Sequence, residues 1–186
     1  MDNIVLETIK QRRTTRAYMP EQIKKEELDV IIEAGLYAPS AHNQQSWHFT
    51  VIQDKQLLDR INADAKEEAK KSHLDFARNI GNNETFNIFY NAPTIVIVSG
   101  EKNNILPVVD CAAASQNMLL AAESIGIGAC WNGMISMLLR SERGDEYKKI
   151  LKIPETHEPY YAIVLGYKKN INVNVPARKS GTVTYF

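Results

Sequence analysis

Residues 94–98, Thr-Ile-Val-Ile-Val, form an almost unbroken β-branched run, and this run constrains the fold more than any other stretch. A strand with one wet face alternates apolar and polar residues, so a strand without alternation is covered on both faces. The sheet that contains it therefore lies between two layers. From Ile105 to about Ile125 the chain is apolar and alanine-rich, and a helix apolar around most of its girth belongs in the middle of a structure. The small residues Ala112, Ala113, Ala114, Ser115, Ala121 and Ala122 permit a neighbouring helix to come close. Asp110, near the start of this central helix, reads as a cap or a subunit contact and not as a base.

Asn3 to about Arg13 predicts a helix with Ile4/Val5 and Thr8/Ile9 turned inward. After Pro20, Leu28, Ile31, Ile32, Gly35 and Leu36 mark one stripe of a second helix, which Pro39 ends. Trp47 to Gln53 alternates as a strand, with Trp47, Phe49 and Val51 on one side and His48, Thr50 and Ile52 on the other. Lys55 to about Asn79 reads as one long charged helix with a thin seam at Leu58, Ile61, Ala65 and Ala69, and residues 81–84 as a loop. Gly126 and Gly128 end the central helix and lead into a loop from Ala129 to Gly133. Glu142 to Leu151 is a short helix stopped by Pro154, and Tyr160 to Tyr167 is a last strand. The polar tail from Lys168 ends in Val183-Thr184-Tyr185-Phe186, apolar enough to expect it docked. Helix and strand alternate with few hairpin signals and without repeats. Residues 1–186 are thus expected to form one α+β domain in three layers, a mixed sheet between helices.

The totals exclude several function classes. Lysine plus arginine (22) equals aspartate plus glutamate (22), so no global field draws the chain to nucleic acid or an anionic membrane. No secretory signal is visible at the N-terminus, and no apolar run reaches the ~18 residues of a membrane span. Cys111 and Cys130 have neither CxxC spacing nor the density of a disulfide framework, so both read as reduced thiols of a cytoplasmic protein. His42 and His48 lack the HxxxH or cysteine partners of a zinc site, so no metal is expected. Neither a GxSxG elbow nor a Cys-His signature supports nucleophilic catalysis.

Gln11-Arg12-Arg13-Thr14-Thr15-Arg16-Ala17-Tyr18 places three arginines and two hydroxyls within five residues, at the end of the first helix. The guanidinium group is a permanently charged fork of N–H donors matched to phosphate oxygens, and Thr hydroxyls add short donors. By itself the cluster is either a solvated basic turn or a clamp for a small phosphorylated ligand. A second stretch, Ala38-Pro39-Ser40-Ala41-His42-Asn43-Gln44-Gln45-Ser46-Trp47-His48-Phe49, bears on that choice. Together the two resemble the signature of the flavin-dependent nitroreductase family. Its first helix ends in Arg-Arg/His-Ser/Thr-x-Arg/Lys-x-Phe/Tyr and its second in Ala-Pro-Ser-x-x-Asn-x-Gln-Pro-Trp-x-Phe. The first motif is complete. The second departs once, at Ser46, where the family usually has proline; the missing rigid turn residue bears on how that loop is held.

The resemblance implies a three-layer nitroreductase-like fold and a homodimer with FMN at the subunit interface, its C-terminal tail wrapped across the partner. It implies NADH or NADPH as electron donor and a small flat acceptor, such as a nitroaromatic or a quinone, reduced in ping-pong fashion. Arg12 and Thr14 would meet the flavin phosphate, joined by Arg178 and less firmly by Lys179. Arg16 would face the pyrimidine edge, where a fixed cation stabilises the charge of the reduced ring. Arg13 would reach ribityl or pyrimidine-edge atoms. Pro39, Ser40, Asn43 and Gln45 would come from the other subunit, and Asn132-Gly133 would offer a backbone N–H near the reactive nitrogen. His42 is either a substrate-pocket residue or a simple loop histidine. Phe86, Phe89 and Tyr90 are either pocket or ordinary core. Reductive dehalogenation, flavin fragmentation and a non-enzymatic FMN-binding module are the alternatives on the same scaffold. A nucleic-acid contact at residues 11–18 is a weaker one.

Overall fold

The computed structural model describes residues 3–169 and 175–186. Its sheet has strands β1 (Trp47–Ile52), β2 (Thr94–Glu101), β3 (Ile127–Asn132) and β4 (His157–Tyr167), in the order β1-β2-β4-β3. All three pairings are antiparallel. The parallel component expected of a mixed sheet is confined to one bridge outside the named strands, Thr14 to Ala129.

The residues of β2 show why that run lacks polar positions. Val96 and Val98 enter one core with Ile31, Ala114 and Met118, while Ile95 and Ile97 enter another with Ile61, Leu138 and Tyr147. The first core lies under helices α2 (Lys25–Leu36) and α5 (Pro107–Ser124), the second under α3 (Lys55–Lys70), α6 (Ser136–Leu139) and α7 (Gly144–Ile150). These are the three layers of the expected α+β fold. At Gly35 an added Cβ would come within 2.4 Å of the Met118 side chain, so α2 and α5 pack as closely as their small residues allow.

Four elements differ from expectation. The helix foreseen over 55–79 breaks into α3 and α4 (Asp75–Asn82), so Gly81 and Asn82 are helical. At the break the Ser72 hydroxyl accepts from the Leu74 N–H at 3.2 Å, a local bond that competes with helical pairing. The stretch foreseen as a loop from Ala129 is strand β3, with Ile127 and Ala129 facing the first core and Cys130 the second; its alternation is short and masked by glycine. Helix α6 was not foreseen. Finally, helix α1 (Ile4–Gln11), capped by the Asn3 side chain at Val5 and Leu6 N–H, buries none of its residues. Its intended inward face is open, with Ile4 73% exposed. Residues 175–186 are likewise exposed along their length in the single chain, and residues 170–174 of the expected tail lie outside the described part.

Candidate functional site

The arginine stretch is laid against the sheet by backbone pairing. Thr15 N–H donates to Ala129 O at 2.9 Å, Met19 N–H to Tyr167 O at 2.9 Å, and Lys169 N–H to Ala17 O at 3.1 Å. Two glycines opposite each other in the sheet, Gly128 and Gly166, make the crossing possible. A Cβ at Gly128 would lie 2.9 Å from the Thr15 methyl, and one at Gly166 would lie 2.9 Å from the Tyr18 ring. Gly126, with φ 81°, ends α5 as expected of a C-terminal glycine, whereas Gly128 serves close approach. Tyr18 is buried over this crossing and donates to Thr15 O at 2.6 Å. Burial drives its phenol well above the ordinary tyrosine range.

The three arginines have different fates. Arg13 Nη1 donates to Lys10 O and Arg12 O, both at 2.7 Å, closing the end of α1. Its Nε is buried without a described partner. Its Nη1 is thus taken up by the chain itself, and what it can offer a ligand is left to Nη2, Nε and its backbone. Arg12 is half-buried and Arg16 exposed, and neither forms an ion pair among the described residues. Both lie close enough to Cys130 to pull its thiol down, although burial prevails and leaves it raised. The guanidinium carbon of Arg16 stands 5.9 Å from the centroid of the Tyr90 ring, a cation–π contact.

Tyr90 connects this edge to the 86–90 segment. Phe86 meets it edge-on at 5.8 Å, and both rings are half-buried. Phe89, 2% exposed, turns into the core beside Ile88, so it leaves the pocket set and takes the core reading. Asn132 is buried beside this segment. Its side chain is hydrogen-bonded, Nδ2 donating to Ile88 O at 2.7 Å and Oδ1 accepting from Met134 N–H at 2.8 Å. It fixes the aromatic segment against β3. Gly133 next to it is exposed, with nothing within 4 Å of where a Cβ would sit.

Residues 39–45 form the second half of the expected site. A short 3-10 turn at Ala41–Asn43 carries His42, Asn43 and then Gln45 at φ 51°, 53° and 48°. Three non-glycine residues in the left-handed region within four positions is a strained arrangement of the kind found at ligand clamps. Inside the loop, Gln45 N–H donates to Ser40 Oγ at 2.9 Å, and Gln45 Nε2 donates to Asn43 Oδ1 at 3.2 Å. Pro39, His42, Asn43 and Gln45 are exposed, and Ser40 is half-buried.

Within one chain the two halves do not meet. The 39–45 loop leads into β1 at one edge of the sheet, while Thr14 pairs with β3 at the other. Arg178 and Lys179 are exposed in the tail and make no described contact with either half. Asp110 is the functional candidate that sequence reasoning misplaced. It lies inside the first turn of α5 and is 2% exposed, holding Ala41 N–H at 2.9 Å and Ser46 Oγ–H at 2.8 Å. An acid set among the apolar residues of the first turn of α5 was the available signal. Its partner could not be read from spacing, since the two lie 64 residues apart. Among the described residues, no three His, Cys, Asp or Glu side chains converge as a metal site would need, and no helix is long and apolar enough to cross a membrane.

These features describe a three-layer α+β domain with an uncompensated cationic edge and a strained loop at the opposite edge. The chain belongs to the nitroreductase family, whose model matches residues 9–167. It is 33% identical over 98% of its length to a candidate NADH dehydrogenase/NAD(P)H nitroreductase of Methanothermobacter thermautotrophicus, covering 82% of that protein. An FMN reductase (NADPH) of Bacillus subtilis is 23% identical over 94% of this chain and 70% of its own. The structure of a nitroreductase with bound FMN from Bacteroides fragilis superposes over the whole of both chains, with a TM-score of 0.93 and 39% identity. The FMN-bound nitroreductase of Desulfitobacterium hafniense follows at 0.91 and 26%, again over both whole chains.

Proposed function

We propose that this chain is an FMN-dependent oxidoreductase of the nitroreductase type, working as a homodimer with FMN at the subunit interface. One observation carries the reading: Arg12 and Arg16 form a cationic edge with no carboxylate partner among the described residues. In a chain of net charge +0, such an edge calls for an anionic ligand. A phosphomonoester brings nearly two negative charges at neutral pH. Arg13 Nε, buried and unpartnered, is a further donor suited to such a group, so the residues present fit FMN.

When bound, FMN would supply the redox chemistry between NADH or NADPH and a nitroaromatic, a quinone or another flat acceptor, as a ping-pong cycle requires. The chain's own residues bind and orient. Arg12 and Thr14 hold the phosphate, with Arg178 and Lys179 as further cations brought by the tail. Arg16, steadied on the Tyr90 ring, faces the pyrimidine edge and favours negative charge there. Gly133, open on its surface side, presents its backbone near the reactive nitrogen. Pro39, Ser40, Asn43 and Gln45 reach the ring or ribityl chain of the neighbouring subunit's flavin, and His42, Phe86 and Tyr90 border the acceptor.

The dimer is supported by the opposite-edge placement of the two halves and by apolar side chains that one chain leaves in water. These include Ile4, Val5 and Ile9 of α1 and Val108 and Val109 of α5. The exposed Val183, Tyr185 and Phe186 of the tail call for the same cover. Two free buried thiols, Cys111 and Cys130, support a reducing, cytoplasmic setting. The test is the visible spectrum of the purified protein under anaerobic conditions, before and after NADH or NADPH. A flavin spectrum that bleaches with either donor is expected. A protein that neither carries nor takes up FMN would overturn the proposal, and bound flavin untouched by both donors would leave an FMN-binding module.

A further inference from the structure

Ser46 stands where the family pattern has proline, and its side chain takes part in holding the loop. The loop from Ser40 to Ser46 holds His42, Asn43 and Gln45 in the left-handed region. Such a set persists only where surroundings over-determine it. The support converges on one carboxylate. Asp110 Oδ1 accepts from Ala41 N–H at 2.9 Å and Oδ2 accepts from Ser46 Oγ–H at 2.8 Å, so one side chain grips both ends of the loop. Asp110 and Ser46 are 2% and 3% exposed. A carboxylate so removed from water is costly unless it is hydrogen-bonded, and here two donors and the N-terminal end of α5 satisfy it. The Ser46 carbonyl is held as well, accepting from Glu101 N–H at 2.8 Å. A proline at 46 would press the preceding residue toward extended geometry, whereas serine leaves Gln45 at φ 48°.

We propose that Asp110 and Ser46 form a clamp that fixes the flavin-facing loop, and that this clamp sets how slowly FMN leaves the protein. Both are positioning residues: they act through the loop without touching the ring. The inference rests on the flavin reading above and adds to it a buried carboxylate that the family motif does not contain.

The test compares FMN release from the intact parent dimer with release from Ser46→Ala, Asp110→Asn and the double variant. Folding is followed separately by far-UV circular dichroism and melting temperature. Each single variant is expected to release FMN about tenfold faster, the loss of one hydrogen bond to a charged group. Because the two residues share one interaction, the double variant should be no faster than the faster single. The visible circular dichroism of the bound flavin should change in all three, a signature that loss of general stability would not move. Release within twofold of the parent in both folded single variants would overturn the clamp. So would a lowered melting temperature with unchanged release, or effects that simply multiply in the double variant. If Asp110→Asn does not fold, Ser46→Ala decides alone by the same rate. A parent protein that binds no FMN would overturn the flavin reading itself and the clamp with it, an outcome visible before any variant is made.

Discussion

Arginine lies over a tyrosine ring in two regions of this molecule, and the two are built to opposite ends. Between α3 and α7, Arg60 and Arg143 each stand 5.5 Å from the Tyr147 centroid. There every cation has its anion. Arg143 Nη2 donates to Asp64 at 2.7 Å and Arg60 Nη2 to Glu146 at 2.9 Å, and the Tyr147 hydroxyl also donates to Asp64. At the edge of β3, Arg16 lies over Tyr90 with no carboxylate among its described partners. The first region satisfies itself and has nothing left to offer a ligand. The second is incomplete as protein alone. Charge balance, more than residue type, separates a structural arginine from a binding one.

The largest effect that would sharpen this contrast is expected at Tyr147, which is fully buried. Tyr147→Ala should cost about 3–5 kcal/mol of stability in urea unfolding and leave the FMN affinity of the folded protein unchanged. A loss below about 1 kcal/mol would show that α7 is secured elsewhere. Arg12→Ala should do the reverse. FMN binding should weaken about 10- to 100-fold as a charge-assisted contact is lost, while the melting curve barely moves. Equal flavin retention in the variant and the parent would remove Arg12 from the phosphate site.

A pH series separates the regions further. The Arg143 hydrogen bond, followed by that of Tyr147, holds the Asp64 carboxyl below the ordinary carboxylate range against the opposing effect of burial. A lowered value means stability that is present above the unfolded range and lost as pH falls through the folded one. Asp64→Asn should therefore cost about 1–2 kcal/mol near neutral pH, a figure kept small by the partial exposure of the pair. The stabilities of variant and parent should converge in acid. Curves that stayed parallel down to unfolding would deny the ion pair its role. The smallest effect is expected for Arg16→Ala: FMN still bound, with its potential lowered by about 30 mV in a spectroelectrochemical titration. An unchanged potential would take Arg16 away from the pyrimidine edge.

Much of the fold was legible because the informative signals were long. The β-branched run of β2 and the apolar girth of α5 required a covered sheet and a central helix, and the layers follow from them. The misses were short or balanced. In β3, Gly128 interrupts six residues whose alternation is otherwise sound. Ser72 breaks a helix whose composition on either side favours continuation. Helix α1 has the right pattern and no core beneath it in one chain, since periodicity reports which face is apolar and not what covers it. At the site, the charged and hydroxylated candidates were picked out by residue type. Phe89 stood open between pocket and core because a ring looks the same in sequence whether it faces a ligand or the interior. Asp110 was visible as an oddity, but its grip on Ala41 and Ser46 is a property of tertiary structure.

The placement of the two half-sites at opposite edges of the sheet has a genetic consequence. If each flavin needs the arginine edge of one copy and the loop of another, damage to either half need not be fatal in a mixed population. A copy altered at Arg12 and a copy altered at Ser46 are each defective in both sites of their own dimer. Paired with each other, they would rebuild one intact site from their undamaged halves and concentrate both lesions in the second. Two impaired alleles expressed together should then restore activity above what either shows alone, through complementation between copies of a single gene.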